Sequence, residues 1–381
     1  MSPKFSMDNL HDSLLTEIFH RIPCIKTLVR CTSVSHCWFN LISDPFFINR
    51  QLLHQQRPKP STLMVNFHGP ISKDPIFQSP GFKLTYLPRR FVRILSSCND
   101  LLLCYSITLR RVYYICNPLT LKCRTLPPAP KKHDDYDRGI KVGLLSNYQV
   151  FGNENQWKHR VVRIHDKGCD LVADVFSFEM GDWTETFVLG PYYKLYGNSV
   201  AYNGVLHWLA EPSAIIAYDF DAKEQCRLVS CPITTTMVEC PFCSQCLGVC
   251  SGILRILELV AFQDSNDDSL TVWELEDYPN GNWNVEHRIC FKELVPAGNS
   301  QVQIQGRDNV GKHQRRLKAL GIHPTDRDVV FFQIDGYVVS CNLETRELKI
   351  EATTDQRFPI SAFPVELQWW PTPIPALPQR V

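Results

Sequence analysis

The spacing of apolar residues changes character once along this chain, near residue 56. Before that point apolar side chains recur every three or four positions; after it they come in short runs broken by Asn, Asp, Gly and Pro. The first period belongs to amphipathic helices and the second to short strands, so a small helical head is predicted ahead of a long β body.

In the head, Asp12 is an N-cap residue type, and Leu14, Leu15, Ile18, Phe19 and Ile22 follow it on one helical face until Pro23 ends the run. A second group, Ile25, Leu28, Val29 and Cys31, leads to a third in which Val34, Trp38, Leu41 and Ile42 share a face before Asp44 and Pro45. Three short helices are expected. A domain this small leaves much of its apolar surface wet unless something covers it, so the surplus predicts a docking surface. The plainer alternative is a helical cap packed on the β body.

The segments Leu10-His11-Asp12-Ser13-Leu14-Leu15, Ile18-Phe19-His20-Arg21-Ile22-Pro23, Leu28-Val29-Arg30-Cys31, Val34-Ser35-His36-Cys37-Trp38 and Leu41-Ile42-Ser43-Asp44-Pro45-Phe46-Phe47 resemble, in order and spacing, the F-box motif. That resemblance implies helices that pack onto the Skp-type adaptor of an SCF-type cullin-RING ubiquitin ligase. It places Leu10, Leu14, Ile18, Ile22, Pro23, Leu28, Val34, Trp38 and Ile42 at the motif's apolar contact or core positions. Two residues depart from the pattern: His11 stands where proline is usual, and His36 where a basic residue is usual. Without that proline the first helix lacks a rigid start.

The body carries a loose repeat. One half is an apolar hairpin with a turn dipeptide, seen around Asn99-Asp100, Asn203-Gly204 and Ser251-Gly252. The other half is an aromatic or β-branched strand entering a polar turn. Its copies contain Ile115, Phe176, Tyr218, Trp273 and Ser340, at irregular separations centred on the roughly 50-residue period of kelch blades. A blade cannot bury both faces alone, so successive blades must stack about an axis. The body also resembles the F-box-associated domain of plant F-box proteins, through Cys116-Asn117-Pro118-Leu119-Thr120, His159-Arg160-Val161-Val162-Arg163-Ile164, Asn203-Gly204-Val205-Leu206-His207-Trp208 and Asp335-Gly336-Tyr337-Val338-Val339.

The fold expected is therefore α+β: a three-helix F-box head over residues 1–56, a Pro-stiffened linker over 57–62, an all-β kelch-like propeller over 63–370 and a Pro-rich tail over 371–381 that is read as disordered. About six blades would fit if the flanks Ser61 to Phe67 and Phe358 to Trp370 close the ring.

Motifs for chemistry are few. Cys240, Cys243, Cys246 and Cys250 have a spacing that an iron-sulfur cluster or zinc could use, but Cys250 falls in a repeated apolar hairpin, so reduced packing thiols are the reading taken. Gly306 to His313 frames a P-loop with histidine where a magnesium-binding hydroxyl belongs, in a β context without the required βαβ unit. His207, beside Trp208, reads as a core histidine, and Trp183, Trp273 and Trp283 as blade packing. No cofactor, metal or catalytic residue is expected.

A net charge of +1 gives no general field for nucleic acid. The start Met1-Ser2-Pro3-Lys4-Phe5 lacks a secretory core and no apolar run is long enough to span a membrane. The sixteen cysteines are then expected as reduced thiols in the cytoplasm or nucleus. The predicted role is a non-catalytic substrate receptor that holds the Skp-type adaptor, with its cullin and RING subunits, and an unknown protein target. The alternatives are an interaction propeller outside the ligase, or a propeller that binds a small molecule or metal. Target contacts are expected on the loops 131–138, 263–268, 276–287 and 306–318.

Overall fold

The computed structural model describes residues 10–22, 25–44, 46–48, 50, 61–67, 76–77, 92–106, 112–130, 140–151, 154–167, 169–189, 193–222, 226–232, 244–260, 268–296, 317–334, 336–353, 360–366 and 371–378.

Three short helices come first: α1 (Asp12–His20), α2 (Ile25–Cys31) and α3 (His36–Ser43). Leu15, Phe19, Leu28, Trp38, Ile42 and Phe47 form their shared core. The Phe19 and Trp38 rings meet edge to face with centroids 5.0 Å apart. Ser35 caps α3, its Oγ accepting the Trp38 N–H at 3.1 Å. At α1 the cap is His11 and not Asp12. His11 Nδ1 accepts the Ser13 N–H at 3.3 Å, and Asp12 becomes the first helical residue, where its negative charge suits the positive helix end. The histidine that replaces the motif's proline thus supplies a helix start of its own.

Two early strands, β1 (Ser61–Phe67) and β2 (Ile76–Phe77), precede the blades. Blade 1 is β3 (Val92–Cys98), β4 (Leu101–Ser106), β5 (Tyr113–Asn117) and β6 (Lys122–Thr125). Blade 2 is β7 (Lys141–Phe151), β8 (Glu154–Lys167), β9 (Asp170–Ser177) and β10 (Asp182–Leu189). Blade 3 is β11 (Lys194–Tyr202), β12 (Val205–Glu211), β13 (Ala214–Tyr218) and β14 (Cys226–Ser230). Blade 4 is β15 (Ser244–Cys250), β16 (Ile253–Val260), β17 (Ser269–Asp277) and β18 (Asn282–Cys290). After the short β19 (Val295–Pro296), blade 5 is β20 (Leu317–Ile322), β21 (Val329–Ile334), β22 (Tyr337–Asn342) and β23 (Glu347–Thr353), with β19 parallel to β23 at its edge. The last strand is β24 (Ile360–Glu366).

The first strands β3, β7, β11, β15 and β20 stand side by side about an axis, and β24 fills the place between β20 and β3. β1 pairs antiparallel with β24 from Ser61 opposite Glu366 to Phe67 opposite Ile360, so the two flanks of the body do meet. The blade count is corrected accordingly. Complete blades number five rather than six, because among the described residues the flanks supply only the three-stranded sheet of β2, β1 and β24.

Strand periodicity explains the stacking. Alternate residues of a strand point to opposite faces, so a strand inside the ring must be apolar on both. In β4, Leu101 and Leu103 pack toward blade 2 while Leu102 and Cys104 pack toward the closing sheet. The other blade pairs form equivalent cores. The outermost strands β6, β14 and β18 are largely exposed and polar, which suits sheet edges facing water. One contact needs a residue without a side chain: a Cβ on Gly143 would lie 2.8 Å from Leu206 and Trp208.

The repeat read from sequence maps onto particular strands. Its hairpins are β3–β4, β11–β12 and β15–β16, turning through Asn99, Asn203-Gly204 and Ser251-Gly252 at positive φ. Its aromatic strands are the third strands of the five blades, each ended by a side chain that accepts N–H groups of its own turn. Asn117 Oδ1 accepts from Leu119 at 2.8 Å and Thr120 at 3.2 Å, and Asn342 Oδ1 from Glu344 at 3.1 Å and Thr345 at 2.8 Å. Ser177, Asp219 and Asp277 do the same for Met180, Asp221 and Asn280.

The tail departs from expectation over residues 371–378. Its Thr372 N–H donates to the buried Asp100 carboxylate, its Thr372 carbonyl accepts from Asn117 Nδ2 at 2.9 Å, and Ile374 and Leu377 join the core between blades 1 and 2. A buried carboxylate needs donors, and the tail supplies one.

Candidate functional site

The helical head divides the nine candidate adaptor residues. Leu28, Trp38 and Ile42 lie in its core. Leu10 and Ile22 are half-buried against that core, and Pro23 lies outside the described residues. Leu14, Ile18 and Val34 are exposed, at 55%, 38% and 60%. The stripe on α1 is therefore split: Leu15 and Phe19 close the head's interior, while Leu14 and Ile18, one turn apart, face outward. Sequence periodicity merges these two faces because i and i+1 both belong to a broad apolar arc. Phe39 and Phe46 are exposed as well, at 51% and 74%. Phe39 escapes a stripe analysis because it sits one place beyond Trp38 and so points away from the core.

The head meets the body at Leu119. This side chain, in the turn between β5 and β6, packs against the head's core and also against the core of blade 1 and the closing sheet. Leu119 is held there by the Asn117 turn and by the Asn117 Nδ2 bond to Asp100 Oδ2 at 2.8 Å.

The residues with chemical potential elsewhere are mostly engaged. His207 is fully buried, with Nδ1 3.1 Å from the Val205 carbonyl and Nε2 2.8 Å from the Tyr278 hydroxyl. Burial pushes its pKa down to about 4. Cys246 and Cys250 both lie on β15 as free thiols, Cys250 within the core of blades 4 and 5 and Cys246 against it. Burial raises both, Cys246 to about 12, which opposes the thiolate form a metal would need. Cys240 and Cys243 lie outside the described residues. Ligand atoms of His165, Asp174 and Glu185 converge within 4.8 Å, but Asp174 already faces Arg163 at 3.4 Å and Glu185 faces Lys167. Trp183 and Trp283 donate to the Pro127 and Ser230 carbonyls of neighbouring blades, and Trp273 donates to Glu258.

Of the expected target loops, residues 131–138, 263–267 and 306–316 lie outside the described residues. The segment 276–287 is a correction: it is the β17–β18 hairpin, and its turn docks on blade 3 through Tyr278, which packs on Tyr202 and His207. The half-buried ring in that turn meets Tyr202 and His207 edge to face and carries the Arg227 guanidinium over it at 5.1 Å.

The five complete blades, their third-strand turns and the closing sheet fit one family. Its sequence model, that of the F-box protein At3g26010-like β-propeller, matches residues 53–361. The chain belongs to the F-box protein At3g26010-like β-propeller family. The match begins beyond the three helices and so concerns the propeller. Within this family's neighbourhood, F-box protein At5g49610 of Arabidopsis thaliana is 28% identical over 304 residues, covering 75% of this chain and 81% of that protein. F-box protein At5g07610 of the same plant is 24% identical over 357 residues, covering 86% of this chain and 77% of that protein.

Proposed function

We propose that this F-box propeller protein is the substrate-recognition subunit of an SCF-type cullin-RING ubiquitin ligase. The head would hold a Skp-type adaptor, and through it the cullin and RING subunits, while the propeller would hold a target protein. Such a chain needs no catalytic residue. It raises the rate of ubiquitin transfer by holding the target near the reaction, which turns an encounter between molecules into one within a complex. The work would take place in the cytoplasm or nucleus.

The observation that carries this reading is the outward half of the α1 stripe. Leu14 and Ile18 are exposed although their neighbours Leu15 and Phe19 are almost fully buried. Covering one such side chain is worth about 1.5–3 kcal/mol, which a second protein could gain. Leu10, Ile22, Pro23 and Val34 would extend that contact, with Leu28, Trp38 and Ile42 fixing the helices behind it.

The test is capture of the full chain by a purified Skp-type adaptor. Stoichiometric capture is expected for the native sequence and its loss for Leu14→Asp with Ile18→Asp, with the melting temperature unchanged. Failure of the adaptor to capture the native chain would overturn the assignment and favour an interaction protein outside the ligase, and capture unaffected by the two charges would refute the α1 contact.

A further inference from the structure

The propeller's central channel opens on the face from which its inner strands start. There a cavity of about 440 Å³ is lined by the first residues of β3, β7, β11, β15, β20 and β24. That size suits a small ligand. This face is opposite the head: β5 runs parallel to β3 and away from the mouth, so Leu119, beyond its end, lies on the far side.

Among the described residues three cations line this mouth, Arg93, Lys141 and Lys318, and no Asp or Glu does. Lys318 Nζ donates to the Ile360 carbonyl. Among the described residues none of the three has an ion-pair partner. The cost of this arrangement is visible in the lysines. Burial, and then repulsion from Lys194, lowers Lys141; burial, and then repulsion from Lys141, lowers Lys318. The carboxylate of Glu258 stands behind the wall, taken up by Gln245 Nε2 at 3.4 Å and Trp273 Nε1 at 3.2 Å. Tyr196 is likewise turned inward, donating to Gln245 Oε1 at 2.7 Å.

Like charges held together at a half-buried site without a counter-charge lower stability, and such departures from the usual pairing mark functional sites. The channel itself could have been closed with apolar side chains, as the blade cores are. We infer that the channel mouth is a binding site for a small oxyanion, a phosphate or carboxylate compound, held by Arg93, Lys141 and Lys318. Arg93 offers a planar fork suited to two oxygens, and the lysines act as point charges on either side. The inference stands on the channel's own residues and is independent of what the head binds.

The test uses the purified full chain, titrated calorimetrically with inorganic phosphate and with citrate at an ionic strength fixed by potassium chloride, so that screening is constant. Saturable binding of either is expected. Lys141→Met and Arg93→Gln should each weaken it about tenfold or more, the scale of one charged hydrogen bond, whereas Lys122→Gln on the exposed β6 should leave it unchanged. Because Lys141→Met removes an uncompensated charge, its melting temperature in chloride alone should equal or exceed that of the native chain, while the gain on adding the anion is lost. Absence of saturable binding by both anions would overturn the site, as would equal affinity in the native chain and the two variants.

Discussion

The backbone N–H of Thr372 lies 2.9 Å from Oδ2 of Asp100, 272 positions earlier in the chain. Asp100 sits in the hairpin turn of blade 1, fully buried, and the same oxygen accepts from Asn117 Nδ2 at 2.8 Å. One carboxylate thus ties together the first hairpin, the third-strand turn that seats the head, and the C-terminal tail.

Replacing Asp100 by alanine leaves two buried donors without an acceptor, at about 1–3 kcal/mol each. Asp100→Ala is expected to lower stability by roughly 2 kcal/mol or more and to open the tail. Urea unfolding measures the first and limited proteolysis near Ile374 the second.

The five third-strand turns are not equal. Asn117 and Asn342 both close a turn through Oδ1, but only Asn117 is fully buried and also donates to Asp100 and Thr372. Asn342→Ala should cost about 1 kcal/mol, the scale of an ordinary hydrogen bond, and Asn117→Ala should cost two or three times as much. Chemical denaturation of the two variants gives the comparison.

Acid should destabilise the propeller. Burial holds His159 and His207 near pKa 4 in the folded chain, against 6.5 when free. Between those values the unfolded chain binds a proton at each site that the folded chain does not, so stability falls as pH is lowered, by up to about 3 kcal/mol per histidine. Asp100 works the other way. Burial raises it from 3.8 to about 6, so the folded chain takes up its proton first and gains stability over that range. The unfolding midpoint is expected to drop from pH 7 to pH 4.5, to drop less in His207→Gln and to drop more steeply in Asp100→Asn.

In the head, binding and folding should separate by residue. Leu14→Ala removes an exposed side chain and should change stability by less than about 0.5 kcal/mol, whereas Ile42→Ala empties a core position and should cost about 2–5 kcal/mol. Thermal unfolding distinguishes them.

Much of this protein was legible without coordinates, because its fold rests on local periodicity. Apolar residues at helical spacing around Leu15, Phe19 and Ile42 fix the helices, and the Asn99, Asn203-Gly204 and Ser251-Gly252 turns fix three of the hairpins through backbone conformations few residues adopt. Even the meeting of Ser61–Phe67 with the last strand could be read, since a ring of blades must close. The first hairpin of blade 5 lacks such a dipeptide: it turns through His323, whose Nδ1 accepts from Asp326, so it did not stand out in sequence.

Tertiary structure decided what depends on residues far apart in the chain. The number of complete blades follows from how many strands the two flanks contribute. Which half of the α1 stripe is buried depends on Trp38 and Phe47 arriving from elsewhere, and the tail lies along blade 1 because Asp100 is buried and must be bonded. The gathering of Arg93, Lys141 and Lys318 has the same origin. Each begins or nearly begins an inner strand, and only closure of the ring places strands from three different blades around one opening. Spacing along a chain sets which face a side chain takes; packing alone sets what that face meets.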